Sequence, residues 1–275
     1  MTSISRSGLF ELLDITGQDA EACSALLDTP PDAAVQRAVD AMQTRLGTFT
    51  SHGIPAEEER EEVWIEALLR FAPTVHAYHA ELGISPGISA ASLGDVGLQL
   101  RINRTVHGRF GLDTWSWLTL HMVGNLFRLG RLQFHLVTSD GTLGRPEQPE
   151  WTLGVHIPEG GSLSPALVDE SFAEARQFFG HHFPDKHVHT ATCDSWMLDP
   201  YLVARLPGSN IASFAQRFVV DRCSDAPTDA VYFTFRQRGL ENLAALPRDT
   251  TLQRVVLERI DDGGTWQLGH GHLEL

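Results

Sequence analysis

The sequence predicts a mixed α/β chain of α+β layout, with a helical first half and a second half built on a mixed sheet flanked by helices. Three observations carry this expectation. Up to Leu129 the apolar residues recur at helical spacing; after Gly130 they alternate; and from Trp151 onward strand and helix patterns follow one another. A sheet with helices on its faces is the arrangement that buries such a series. The expected division is a helical unit over 1–129 and a sheet unit over 130–275.

In order, Ala34 to Leu46, Glu57 to Leu69 and Trp115 to Leu129 read as helices. Pro55 followed by Glu57, Glu58 and Glu59 opens the second, because carboxylates sit well at the positive end of a helix dipole, and Pro73 should kink or end it. Asp113 and Gly130 bracket the third. Beyond Gly130, Leu132, Phe134 and Leu136 alternate with Gln133, His135 and Val137, which predicts a half-buried strand. Asp140 to Pro149 reads as a loop and Trp151 to His156 as the next strand.

Ser164 then caps a helix that begins at Pro165 and carries Val168, Phe172, Ala175 and Phe179 on one face. Strands are expected at His187 to Cys193, Phe214 to Val220 and Ala230 to Phe235, the last two joined as a long hairpin through Asp221 to Asp229. Asp199-Pro200 starts a short helix, with Asp199 as its cap, and Leu206-Pro207-Gly208 ends it. A helix over Leu252 to Ile260, stopped at Gly263-Gly264, and a strand around Trp266 to Leu268 complete the chain.

The 275 residues are 42% apolar and 20% charged, enough for a substantial core. A formal net charge of −14 and the lack of any long basic run argue against nucleic acid or an anionic membrane surface as a partner, and the single lysine, Lys186, reads as genomic composition. The opening residues lack a secretory pattern and no apolar run reaches the ~18 residues of a membrane span, so a cytoplasmic protein is expected. Cys23, Cys193 and Cys223 show no Cys-x-x-Cys spacing, which disfavours a disulfide framework or a cysteine zinc site. His187 and His189 share one strand face but lack a specified third ligand, and no metal is expected.

The turn His156-Ile157-Pro158-Glu159-Gly160-Gly161-Ser162-Leu163 lies between a strand and a helix. Such a turn leaves main-chain N–H groups free at the positive end of the helix dipole, where phosphate binds. It lacks the third glycine of the dinucleotide pattern and the Lys-Ser or Lys-Thr of a triphosphate loop.

Leu129-Gly130-Arg131-Leu132-Gln133-Phe134, the His156 to Gly161 run, Cys193-Asp194-Ser195-Trp196-Met197-Leu198-Asp199-Pro200, Leu206-Pro207-Gly208-Ser209-Asn210-Ile211 and Thr250-Thr251-Leu252-Gln253-Arg254 together resemble the bacterial acyltransferase domain-containing proteins. These pair a helical N-acyltransferase segment with a GNAT-like C-terminal domain. The resemblance covers most of the chain and is densest from Leu129 onward. It implies an acyl-CoA-dependent transferase in which two parallel strands, here Trp151 to His156 and His189 to Cys193, splay apart to admit pantetheine. It also implies that Ile157, Glu159, Gly160, Gly161, Ser162 and Leu163 hold the pyrophosphate. Acyl-CoA would be the co-substrate, and an amine or hydroxyl of a small molecule or peptide the acceptor; the acidic charge favours an amine. Two departures stand out: the usual Gln/Arg-x-x-Gly-x-Gly/Ala loop is not reproduced, and relatives more often carry His where this chain has Asp194.

Direct transfer requires a positioned acceptor, a base and stabilisation of the oxyanion. His156, ending the first splayed strand, is the leading base and His135 the second; a hydrogen-bonded structural histidine is the competing reading of each. Asp194 could orient or accept a proton, and Ser195 could donate one to the departing thiolate. Cys193 could carry a covalent acyl group if its pKa were depressed. The alternative to an enzyme is a GNAT-like module that binds CoA or a partner without chemistry, which the two departures would support.

Overall fold

A computed structural model of the protein describes residues 4–55, 60–138 and 151–275. Glu57 to Glu59 and the loop expected over 140–149 lie outside the described residues. The expected mixed α/β architecture is present. Helices α1 (Arg6–Leu12), α2 (Gly17–Leu27), α3 (Ala33–Gln43), α4 (Glu61–Glu81), α5 (Pro86–Leu93), α6 (Asp95–His107) and α7 (Trp115–His121) form the first half. No helix among the described residues is long and apolar enough to cross a membrane.

The first core is organised by α4, which buries Trp64, Ile65, Leu68, Leu69, Phe71, Ala72 and Val75. Trp64 stacks on Trp115 of α7 with ring centroids 4.1 Å apart. The helix runs through Pro73 to Glu81 instead of ending there. Losing an N–H bond to proline costs about 3 kcal/mol, and burying Phe71 and Val75 on either side offsets it at about 1.5–3 kcal/mol each.

The second half comprises β1 (Leu126–Leu129), β2 (Leu132–Thr138), β3 (Trp151–His156), α8 (Pro165–His182), β4 (Val188–Ser195), α9 (Pro200–Arg205), α10 (Asn210–Ala215), β5 (Val219–Asp225), α11 (Asp229–Phe235), α12 (Thr251–Asp261) and β6 (Gln267–Glu274). The strands form one sheet in the order β1-β2-β3-β4-β6-β5; β3 and β4 are parallel and every other pair is antiparallel. Helix α8 covers one face, where Phe172, Ala175 and Phe179 join Phe127, Phe134, Leu153 and Ala191 in a single cluster.

The helix expected over Trp115 to Leu129 stops at His121, and its end is a strand. Gly124, at φ +82°, turns the chain there, and Gly130, at φ +61°, forms a hairpin turn in place of a helix stop. A short apolar run such as Leu126-Phe127-Arg128-Leu129 fits either period, so tertiary pairing decides it. A Cβ at Gly124 would lie 2.7 Å from the Tyr78 ring. Gly124→Ala should therefore lower stability by about 1–3 kcal/mol in urea denaturation; an unchanged midpoint would show that the turn tolerates a side chain.

Two further expectations are corrected. Phe214 lies within the last turn of α10, and the strand begins only at Val219. Ala230 to Phe235 is helix α11, not a hairpin partner, because Ala230 and Val231 bury against Val255, Val256 and Trp266. Strand β5 pairs with β6 instead. That last strand is longer than expected, and its glycines permit close approach: a Cβ on Gly269 would lie 2.6 Å from Leu198 Cβ.

Candidate active site

The parallel ladder between β3 and β4 pairs Thr152 with Thr190, Leu153 with Ala191 and Gly154 with Thr192, and then ends. Beyond that point Val155 and His156 stay bonded to Phe134 and Gln133 of β2, while Cys193, Asp194 and Ser195 stay bonded to Gly271, His270 and Gly269 of β6. Each strand follows its outer neighbour, so the two separate. Val155, His156, Cys193, Asp194 and Ser195 all line a cavity of about 660 Å³ at the opening. Asp95 and Trp117 reach it from the helical half; Met197, Ile211, Tyr232, Arg236 and Leu268 line it from the sheet half.

At the edge of this cavity the turn after β3 places Gly160 and Gly161 consecutively at φ +79° and +73°. The main-chain N–H groups of Glu159 to Leu163 donate to no group among the described residues. Two carbonyls of the turn are engaged: Arg131 donates from Nη1 to Pro158 O (2.9 Å) and from Nε to Ser162 O (3.1 Å). Ser164, at the N-cap of the 18-residue α8, makes no side-chain capping bond. The turn thus presents unengaged donors beside the positive end of a helix dipole, with some of its acceptors held by Arg131. Glu159 is paired with Arg236, which offsets a carboxylate that would repel an anion. Of the residues expected here, Ile157, Glu159, Gly160, Gly161 and Leu163 line the cavity; Leu163 is also buried in the sheet core. Ser162 lies behind them, its Oγ accepting from Asn210 Nδ2 and from the Ser164 amide.

His156 packs edge-on against Trp117, with ring centroids 4.7 Å apart. Trp117 Nε1 donates to Asp95 Oδ2 (3.1 Å), and His121 Nε2 lies 3.3 Å from the same oxygen. Burial works against the charge on Asp95, yet His121 and Trp117 hold its pKa below the usual carboxylate value. The His156 side chain makes no hydrogen bond among the described residues, and its Nε2 is sealed from solvent. Burial, aided by His121, pushes its pKa down to about 4, so the ring is neutral at neutral pH and a weak base. His135 is buried one strand away, its ring 6.1 Å from that of His156, and does not line the cavity. Burial and His156 lower it to about 3.

Cys193 is buried, and burial together with the neighbouring Asp194 pushes its thiol pKa up. The depressed pKa that a covalent route requires is therefore absent. Ser195 Oγ accepts from the Met197 amide (3.1 Å) and so caps the turn at Trp196. Asp199 is the expected cap of α9, accepting from Tyr201 N, and it also takes Arg259 and the Gln267 amide.

Asp194 stands apart from these candidates. Its side chain is 64% exposed, and Oδ1 lies 2.8 Å from Nδ1 of His270. His270 Nε2 in turn lies 2.8 Å from Ser224 Oγ. Sequence reasoning gives no role in the site to His270 or Ser224, nor to Asp95, Trp117 or His121. The signal for His270 was available in the alternation Gly269-His270-Gly271-His272, which sets both imidazoles on one face of a strand. His187 and His189 are both exposed, and no metal-holding group of three or more His, Cys, Asp or Glu occurs among the described residues.

Comparison with known proteins gives this geometry a context. A comparison with curated proteins finds no match. Among solved structures, an acyltransferase mutant in complex with octanoyl-CoA aligns with a TM-score of 0.88 at 30% identity, over 98% of this chain and 87% of that one. An acyltransferase in complex with CoA and 10C-teicoplanin aligns at 0.85 and 30%, covering 99% and 88%. An acyltransferase in complex with decanoyl-CoA and teicoplanin aligns at 0.84 and 30%, covering 98% and 87%. Residues 5–124 match the N-acyltransferase N-terminal domain and residues 126–273 the GNAT-like C-terminal domain, and the chain belongs to the acyltransferase family that joins these two parts.

Proposed function

We propose that this acyl-CoA-dependent acyltransferase moves a medium-chain acyl group from CoA to an amine on a small-molecule acceptor by direct transfer. The observation that carries the reading is the end of the β3–β4 ladder at Gly154 and Thr192, which opens a slot between two rigid strands. The pantetheine arm threads this slot, and the pyrophosphate rests on the unengaged N–H groups of Glu159 to Leu163. The two units, divided near residues 129 and 130, share the work: the helical one walls the cavity with Asp95 and Trp117, and the sheet supplies the reacting groups.

Within the site Asp194 is the exposed candidate able to take the proton that the acceptor must lose. His156, kept neutral by burial, can lend an N–H to the developing oxyanion without adding charge. Ser195 is placed to return a proton to the departing thiolate. Val155, Ile157, Met197, Ile211 and Leu268 give the cavity an apolar wall suited to an acyl chain. The relatives crystallised with octanoyl-CoA or decanoyl-CoA support a medium-length chain, and those crystallised with teicoplanin support a bulky acceptor. Three free thiols fit a reducing compartment, and we place the reaction in the cytoplasm.

Thermal unfolding in the presence of CoA thioesters tests the donor. Saturating octanoyl-CoA should raise the melting temperature more than acetyl-CoA, because each buried methylene adds about 0.8 kcal/mol of native-state binding. No shift with any thioester, or equal shifts for both, would overturn the donor assignment.

A further inference from the structure

The Asp194, His270 and Ser224 side chains form one hydrogen-bonded line across three neighbouring strands, β4, β6 and β5. Both contacts are 2.8 Å, and they use opposite nitrogens of a single imidazole. The order resembles that of a serine nucleophile with its base and acid, but the polarity is reversed. The carboxylate end lines the cavity, whereas neither His270 nor Ser224 does. Ser224 is therefore remote from the thioester, and the group presented to substrate is the anion.

The charges around that end are defined. Of the two arginines that line the cavity, Arg131 is engaged with the carbonyls of the turn and Arg236 with Glu159. Arg222 stands opposite His270 in register but is exposed, and the neighbouring His272 is taken by Asp221 at 2.7 Å. The only side chain bonded to the Asp194 carboxylate among the described residues is His270. Nδ1–H donated to Oδ1 fixes that carboxylate and leaves Oδ2 for a ligand. Ser224 O–H donated to Nε2 then fixes the imidazole in the tautomer this requires.

We propose that His270 and Ser224 are positioning residues that hold Asp194 as the anchor and proton acceptor for a primary amine, and that the acceptor substrate enters as an ammonium ion. The inference rests on the acyl-transfer reading and adds to it the residues that orient its proton acceptor. In the step, R–NH3⁺ docks on Oδ2 and gives one proton to the carboxylate. The nitrogen attacks the thioester carbonyl, forming C–N; the C–S bond breaks, the Ser195 hydroxyl gives its proton to the thiolate and regains one from nitrogen, and Asp194 returns its proton to solvent. A hydroxyl acceptor carries no positive charge for the anion to hold, which makes it the poorer substrate.

The test uses the full-length protein loaded with octanoyl-CoA, and glucosamine and glucose as a pair differing at one ammonium-for-hydroxyl position. Imidazole 15N NMR should show His270 protonated at Nδ1 and bare at Nε2, and should show the His270 signals moving with glucosamine but not with glucose. In turnover, His270→Leu should lower kcat with the amine by about 100-fold, as misplacement of a reacting group does, with octanoyl-CoA binding unchanged. His270→Asn, whose amide restores a donor near Nδ1, should recover most of that loss, and Ser224→Ala should matter only while His270 is present. An Nδ1-bare tautomer, equal responses to the two sugars, or equal damage from Leu and Asn would overturn the proposal. Loss of octanoyl-CoA binding by the unmutated protein would instead count against the underlying acyl-transfer reading.

Discussion

Asp194→Asn is expected to lower the rate of acyl transfer to an amine by about 100- to 10,000-fold, the range over which a positioned base contributes. The substitution is nearly isosteric, and its amide oxygen can still accept from His270 Nδ1, so the strand geometry should persist. What disappears is the negative charge and the ability to take a proton. Octanoyl-CoA affinity should stay within about a factor of 10, since the contacts proposed for the donor's pyrophosphate are main-chain N–H groups on the far side of the slot. Cys193→Ser provides the contrast. Burial and Asp194 keep that thiol protonated, so replacing it should leave kcat within about a factor of 10, whereas a covalent acyl-cysteine would make it indispensable. Steady-state kinetics on both variants, with acyl-enzyme sought by intact mass, decide the matter: an active Asn variant, or a mass adduct lost in the Ser variant, would remove direct transfer by Asp194.

How much of this site the sequence reveals depends on the distance over which each contact is made. The strand ending at His156, the glycine turn and the helix after Ser164 are contiguous, and their local signals of period, cap and turn agree. The words around Cys193 to Ser195 are equally local. The wall formed by Asp95, Trp117 and His121 is not, because Asp95 and Trp117 lie on different helices and meet only in the fold. The relay from Asp194 to Ser224 depends on β6 lying between β4 and β5, a strand order that no window of sequence carries. Ala230 to Phe235 departs from its expected strand for a related reason. Its β-branched and aromatic run has the composition of a strand, and only packing against Val255, Val256 and Trp266 selects a helix.

Acid should unfold this protein well above the carboxylate range, because three histidines are buried in the neutral form. His79 and His156 have pKa values lowered to about 4 and His135 to about 3, in each case chiefly by burial, against an ordinary value of 6.5. Because these folded-state values lie below the unfolded one, the unfolded chain binds protons first as pH falls. Their contribution is thus fully present above about pH 6.5 and is lost on descending toward pH 4, at about 1.4 kcal/mol per pH unit for each histidine. For three groups the loss by pH 5 is about 6 kcal/mol at most, comparable with the whole stability of a typical domain at about 5–15 kcal/mol. His156 is only half-buried as a residue, so water reduces its share. The lowered pKa of Asp95 adds a loss only below its ordinary value of 3.8, leaving the window from pH 6.5 to 4 to the imidazoles. Urea midpoints at pH 7.5, 6 and 5 should fall steeply, and His135→Asn should make the fall shallower by about 1.4 kcal/mol per pH unit. A flat profile would mean that these rings are hydrated in solution. It would also remove the case for His156 as the proposed uncharged donor, since the burial that makes the fold acid-labile is what keeps that imidazole neutral at the edge of the cavity.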